Sequence, residues 1–162
     1  LRIGHTLYKS YQDKSSLDFM SVALNEAEKA YQADEVPVGA VIVKDDQVIG
    51  VGFNQVIQNK SVCSHAEIIA INNASQNIQN YRLIGCDIYV TLEPCHMCAK
   101  AIVDARIRHL YFGAIEPKTG AVQSVDNFLD RDHLNHKVDY SGGHNGESAA
   151  ALLKKFFRTQ HL

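Results

Sequence analysis

The 162-residue sequence predicts an α/β fold: a three-layer α/β/α sandwich around a mixed, mostly five-stranded sheet. Three observations carry that expectation. Strand-like and helix-like runs alternate along the chain, which is the pattern of strands covered on both faces by helices. The first two strands adjoin across a short turn, so the sheet opens with an antiparallel hairpin and is mixed. The composition, 46% hydrophobic and 21% charged with 10 Gly and 3 Pro, is that of an ordinary globular chain long enough to bury a core.

The elements follow in order. Ser15 with Asp18 three residues on resembles a capping box, and Met20, Leu24, Ala27 and Tyr31 fall on one face of a helix over roughly 16–33. Pro37 ends that region. "VGAVIV" (38–43) and "QVIGVGF" (47–53) flank "KDDQ" and form the hairpin. A helix begins near Ala66, marked by Ile68, Ile69 and Ile71, and fades into the polar "NNASQN". "CDIYVTL" (86–92) is a strand, "MCAKAIVDA" a helix and "RHLYFGA" (108–114) a strand. A polar loop leads to a short helix near 124–130 and a short strand at "HKVDY". In the last helix, "ESAAALLKKFFR", the residues Ala149, Leu152, Leu153 and Phe156 make the buried stripe. No linker or repeat interrupts the series, so residues 16–162 read as one domain. Residues 1–15 read as an N-terminal extension, added or trimmed, with no apolar core of a signal peptide.

Composition also excludes some functions. No apolar run reaches the ~18 residues that span a bilayer, so no membrane role is expected. The net charge is −2, which gives no bulk attraction to a polyanion. The charge is uneven, with nine Lys/Arg against seven Asp/Glu from His96 onward and seven against eleven before it. Any nucleic acid must meet a local patch. Four cysteines without a secretion signal favour metal binding or catalysis over disulfides, and a cytoplasmic setting.

"TLEPCHMCAKAIVDAR" (91–106) places Cys95 and Cys98 at a strand-to-helix junction, where ligand sites of such folds gather. "SHAEIIA" places His65 and Glu67 at another helix start. Free N–H groups and the positive dipole end in the first turn favour thiolates over thiols. Two Cys and one His leave a fourth position open, as in catalytic rather than structural zinc sites. Residues two apart diverge on a helix, so His65 and Glu67 converge only if the metal lies beyond its N-terminus. Glu67 then reaches a water in the open position, whose pKa zinc lowers to about 7. Other readings stay open at this point. A redox pair leaves His65 and Glu67 without a role. A structural zinc would take Cys63 or His96 as fourth ligand. Cys86 reads as a buried small hydrophobe.

His65-Ala66-Glu67 followed by Pro94-Cys95-x-x-Cys98 resembles the signature of the cytidine/deoxycytidylate deaminase superfamily. "EVPVGAVIV", "VGFN", "NYRLIGCDIYVTLEPC", "FGAIEPKTGA", "LNHKV" and "LLKKFFR" are similar to the tRNA-specific adenosine deaminases over roughly residues 16–160. The resemblance implies a cytidine deaminase-like fold and a cytoplasmic homodimer with one zinc ion (Zn2+) per subunit. Its implied activity is hydrolytic deamination of adenosine to inosine at the wobble position of an arginine tRNA, with the anticodon stem-loop as partner. It also implies His65, Cys95 and Cys98 as zinc ligands and Glu67 as proton shuttle. Asn54 would hydrogen-bond the adenine, Ala66 and Pro94 would line the pocket, and Glu116, Lys118 and Phe157 would meet the substrate. Thr119 and Gly120 belong to the same loop; Lys154, Lys155 and Arg158 lie on the exposed side of the last helix. Glu116 departs from the family's usual Asp by one methylene. The rivals are a deaminase of a free base or nucleoside, such as guanine or cytosine, and a non-catalytic zinc-stabilised module.

Overall fold

The computed structural model describes residues 18–160, so residues 1–15 and Ser15 of the expected capping box lie outside the described residues. The elements are α1 (Phe19–Gln32), β1 (Gly39–Lys44), β2 (Gln47–Phe53), α2 (Val56–Asn59), α3 (Ala66–Ile78), β3 (Cys86–Leu92), α4 (His96–Asp104), β4 (His109–Ala114), β5 (Asp139–Ser141) and α5 (Gly146–Gln160). Asp18 caps α1 itself, its carboxylate accepting the Met20 N–H at 3.0 Å.

The sheet order is β2-β1-β3-β4-β5. β1 runs antiparallel to β2 and β3, while β3–β4 and β4–β5 are parallel. Asp45 and Asp46 both have positive φ (51° and 61°), which makes the two-residue turn whose twist suits a hairpin. Alternation along the strands divides the core. Val41, Val43, Val48 and Val51 face α1 together with Met20, Val22 and Ala23. Ala40, Ile42, Ile88, Val90, Leu110 and Phe112 join Ala66, Ala70, Ala74, Ala99 and Ile102 of α3 and α4 on the other face. α5 lies beside α1, with Phe156 edge-on to Tyr31 at 6.2 Å.

Three of the expected elements differ from expectation, and α2 is a short helix that was not expected. The helix beginning at Ala66 does not fade but runs through the polar stretch to Ile78. Asn73 and Asn77 donate their side-chain amides to Val51 and Ile49 carbonyls (2.8 and 2.7 Å), satisfying the edge strand β2 that the helix covers. The helix expected near 124–130 is only a 3₁₀ turn at Phe128–Asp130, because the chain before it is bound to a buried carboxylate instead. The last strand starts later than "HKVDY" implies and pairs with β4 over three residues.

Candidate active site

His65 and Cys95 occupy the cap positions immediately before α3 and α4, both in extended backbone, and neither side chain caps its own helix. Each is therefore free to point across the gap between the two helix starts. Cys98 lies one turn into α4 and is fully buried. The His65 Nδ1 is 3.4 Å from the Cys98 Sγ and 3.7 Å from the Cys95 Sγ, and the three donor atoms lie within 4.8 Å of one another. Zinc bonds of about 2.0 Å to nitrogen and 2.3 Å to sulfur, at tetrahedral angles, put such donors about 3.5–3.8 Å apart. The donor set thus fits one zinc ion per chain.

Among the described residues this is the one His/Cys/carboxylate group so placed. Cys63 is exposed, and Cys86 is buried with its thiol pushed up to about 11 by burial. His96 pairs with Asp126 at 2.9 Å on the exposed side of α4. None of the four cysteines is in a disulfide.

The electrostatics follow from the crowding. The hydrogen bond from Cys98, reinforced by His65, pulls Cys95 down to about 4, while the hydrogen bond to Cys95 and burial push Cys98 up. The hydrogen bond to Cys95 raises His65. Glu67, 4% exposed in the first turn of α3, is pushed up to about 7, chiefly by burial. A carboxyl poised there can accept and return a proton near neutral pH.

These groups open on a cavity of about 460 Å³. Asn54, Ala66 and Glu116 line it with His65, Glu67 and Cys95, and Thr119 of the polar loop lies on its rim. Pro94 is buried, its carbonyl accepting the Ala121 N–H at 2.8 Å, and is not part of the lining. Lys118 is exposed outside the lining, its N–H donating to Glu116 Oε1 at 3.0 Å. Phe156, expected only in the core stripe, is 6% exposed and lines the cavity; Phe157 is 54% exposed and borders a separate shallow groove with Leu153, Lys154 and Arg158.

Two cavity residues escaped the sequence reading. Glu35, 1% exposed, accepts the Ile57 and Gln58 N–H groups (3.1 and 2.7 Å) and so caps α2 on one rim. Glu93, 3% exposed, receives backbone N–H groups from the loop on the other rim. Burial opposes its ionisation, but hydrogen bonds from Gln123, Ser124 and Glu116 outweigh burial and hold it below the usual carboxylate range. A Glu inside an apolar strand-and-turn run, with no basic residue nearby, is the signal that could have marked both.

Comparison with known proteins agrees with this geometry. Residues 13–114 match the cytidine and deoxycytidylate deaminase zinc-binding region. The tRNA-specific adenosine deaminase of Haemophilus influenzae is 46% identical over 140 residues, covering 86% of this chain and 81% of that protein. The Agrobacterium fabrum protein of the same name is 46% identical over 144 residues, covering 89% and 95%. A solved structure from studies of A-to-I editing by tRNA:A34 deaminases at the wobble position of transfer RNA superposes with a TM-score of 0.81 at 46% identity, covering 83% of this chain and 97% of that one. A guanine deaminase from Nitrosomonas europaea (TM-score 0.76, 20% identity, covering 93% and 91%) shares the fold. The chain belongs to the cytidine and deoxycytidylate deaminase zinc-binding family and, within it, to the tRNA-specific adenosine deaminases.

Proposed function

We propose that this chain converts adenosine to inosine at the wobble position of tRNA, an arginine tRNA in particular, by zinc-dependent hydrolysis. The observation that carries the reading is the convergence of His65, Cys95 and Cys98 beside a buried Glu67 in one open cavity. His65, Cys95 and Cys98 would hold zinc, which supplies the Lewis acid that makes water nucleophilic at neutral pH.

The chain's own residues do the rest. Glu67 takes a proton from the attacking water as its oxygen bonds to C6 of the adenine, and returns that proton to the ring nitrogen. It then passes the water's second proton to the amino group, which leaves as ammonia. Water is consumed and the base becomes hypoxanthine. Asn54, at the end of β2, offers donor and acceptor together to the purine edge. Ala66 borders the base, and Glu116, Lys118 and Phe157 meet the nucleotides around it. An anticodon loop presents its base already single-stranded, which lowers the cost of unstacking. Lys118, Lys154, Lys155 and Arg158 are exposed cations suited to phosphate.

Residues 16–162 act as one domain in a cytoplasmic homodimer. Partly exposed Met97 and Ala101 on α4, with exposed Val62 and with Ile57 at the cavity, supply apolar surface for a second copy. No helix among the described residues is long and apolar enough to cross a membrane.

Ammonia release from an anticodon stem-loop, set beside free adenosine, guanine and cytosine, tests the substrate. The stem-loop is expected to be turned over and the free compounds not. Turnover of the free compounds alone would overturn the reading.

A further inference from the structure

The loop over residues 115–125 forms one rim of the cavity, yet little of it is regular structure. What shapes it is a single side chain. The Glu93 Oε2 accepts three successive backbone N–H groups, from Val122 (3.1 Å), Gln123 (2.8 Å) and Ser124 (2.9 Å). The Oε1 accepts the Glu116 N–H at 3.0 Å and the Ser124 hydroxyl. Consecutive N–H groups converging in this way make a concave site for an anion, and here the protein fills it with its own carboxylate. The loop closes tightly over it. A Cβ on Gly120 would lie 2.3 Å from the Glu93 Cδ, so only glycine fits there. The Glu93 N–H also donates to Ala114 and the Ala121 N–H to Pro94, both at 2.8 Å.

We infer that Glu93 is the positioning residue of the substrate loop, fixing Glu116 and Thr119 on the cavity rim relative to the zinc-ligand turn that begins two residues later. Its five hydrogen bonds tie both ends of the loop, at 116 and at 122–124, to one point. Glu93 touches neither the base nor the metal in this role; it sets the shape that a large substrate meets outside the pocket. The geometry favours this over a ligand role, because both oxygens are already saturated by loop donors. The inference deepens the proposed action on an anticodon loop and rests on it for its kinetic consequence.

Glu93→Gln puts an NH₂ group against N–H donors, and Gly120→Ala pushes on the carboxylate from the loop's side without changing the segment that leads into Cys95. Ser124→Ala removes only the hydroxyl contact. Each full-length, zinc-loaded variant is assayed for zinc per chain, for amide hydrogen exchange at residues 116 and 120–124, and for kcat and KM on the stem-loop. Zinc content is expected to stay as in the parent protein. Exchange at the loop amides and KM are each expected to rise roughly tenfold in Glu93→Gln and Gly120→Ala, on the scale of losing one charge-assisted hydrogen bond, and less in Ser124→Ala. kcat should stay within about threefold, since the reacting groups are untouched. Unchanged loop exchange in both strong variants would overturn the inference, as would a fall in kcat at constant KM. A parent protein inert on the stem-loop would instead refute the substrate reading, while loop exchange would still decide whether Glu93 holds the loop.

Discussion

Gly52→Ala tests how closely the site depends on the contact between β2 and α3. A Cβ at position 52 would lie 2.6 Å from both the Ala66 carbonyl oxygen and the Ala70 nitrogen, and 2.9 Å from the Ile69 Cβ. Ordinary contact begins near 3.4 Å, so strand and helix must separate by about 0.8 Å. Backbone atoms provide two of the three obstacles, and no rotamer change relieves them. Overpacking of this kind costs about 1–3 kcal/mol, and the rigidity of the obstacles puts this site near the upper end. For a chain of this length that lowers Tm by roughly 5–10 °C. Whichever partner moves carries a site residue: α3 carries Glu67 and begins directly after His65, and β2 leads directly into Asn54. A displacement near 1 Å at reacting groups lowers the rate by about a hundredfold. The assay is thermal unfolding and stem-loop kcat/KM of the zinc-loaded protein, with Asn72→Ala on the exposed face of α3 as the comparison. A Gly52→Ala protein whose Tm and activity match those of Asn72→Ala would refute the reasoning.

Glu67→Gln should keep the zinc content of the parent protein and lose deamination by at least about 10³-fold, since one group serves as both base and acid; zinc analysis beside ammonia release checks both halves. Asn73→Ala and Asn77→Ala should each lower unfolding free energy by about 1 kcal/mol in urea, because a β2 edge carbonyl loses its donor. His109 is held below its usual pKa chiefly by burial, where it stacks on Tyr111 at 4.1 Å. Its folded state favours the neutral ring, so that contribution to stability is present above about 6.5 and is lost as pH falls through the lowered folded value. His109→Gln should therefore show a shallower loss of stability on acidification than the parent protein, measured by urea unfolding at a series of pH values.

The parts of the structure written locally were legible in the sequence. "KDDQ" between two β-rich runs marks the hairpin turn, and the periodicity of α1 and α5 is plain. Both helix starts that hold the ligands are visible because His65-x-Glu67 and Cys95-x-x-Cys98 each sit at a change of periodicity. Features that depend on distant partners were not legible. The α2 segment is four residues long and has no period to read; it is held by Glu35, more than 20 residues earlier in the chain. Asn73 and Asn77 look like helix-weakening residues until β2 supplies the carbonyls they bind. The loop at 116–124 looks like the approach to a helix until Glu93 is seen to claim its N–H groups. Phe156 and Phe157 differ by one residue, and periodicity separates the buried ring from the exposed one but does not reveal that the buried ring also walls the cavity.

The coordination of zinc in the purified protein is the most direct test of the account. X-ray absorption at the zinc edge is expected to show two sulfur and two nitrogen or oxygen neighbours, with Cys63 still reactive toward alkylating reagent in the zinc-loaded chain. A third sulfur neighbour, or two imidazoles with no exchangeable oxygen, would contradict it, because the position where Glu67 meets the attacking water would then be filled by protein.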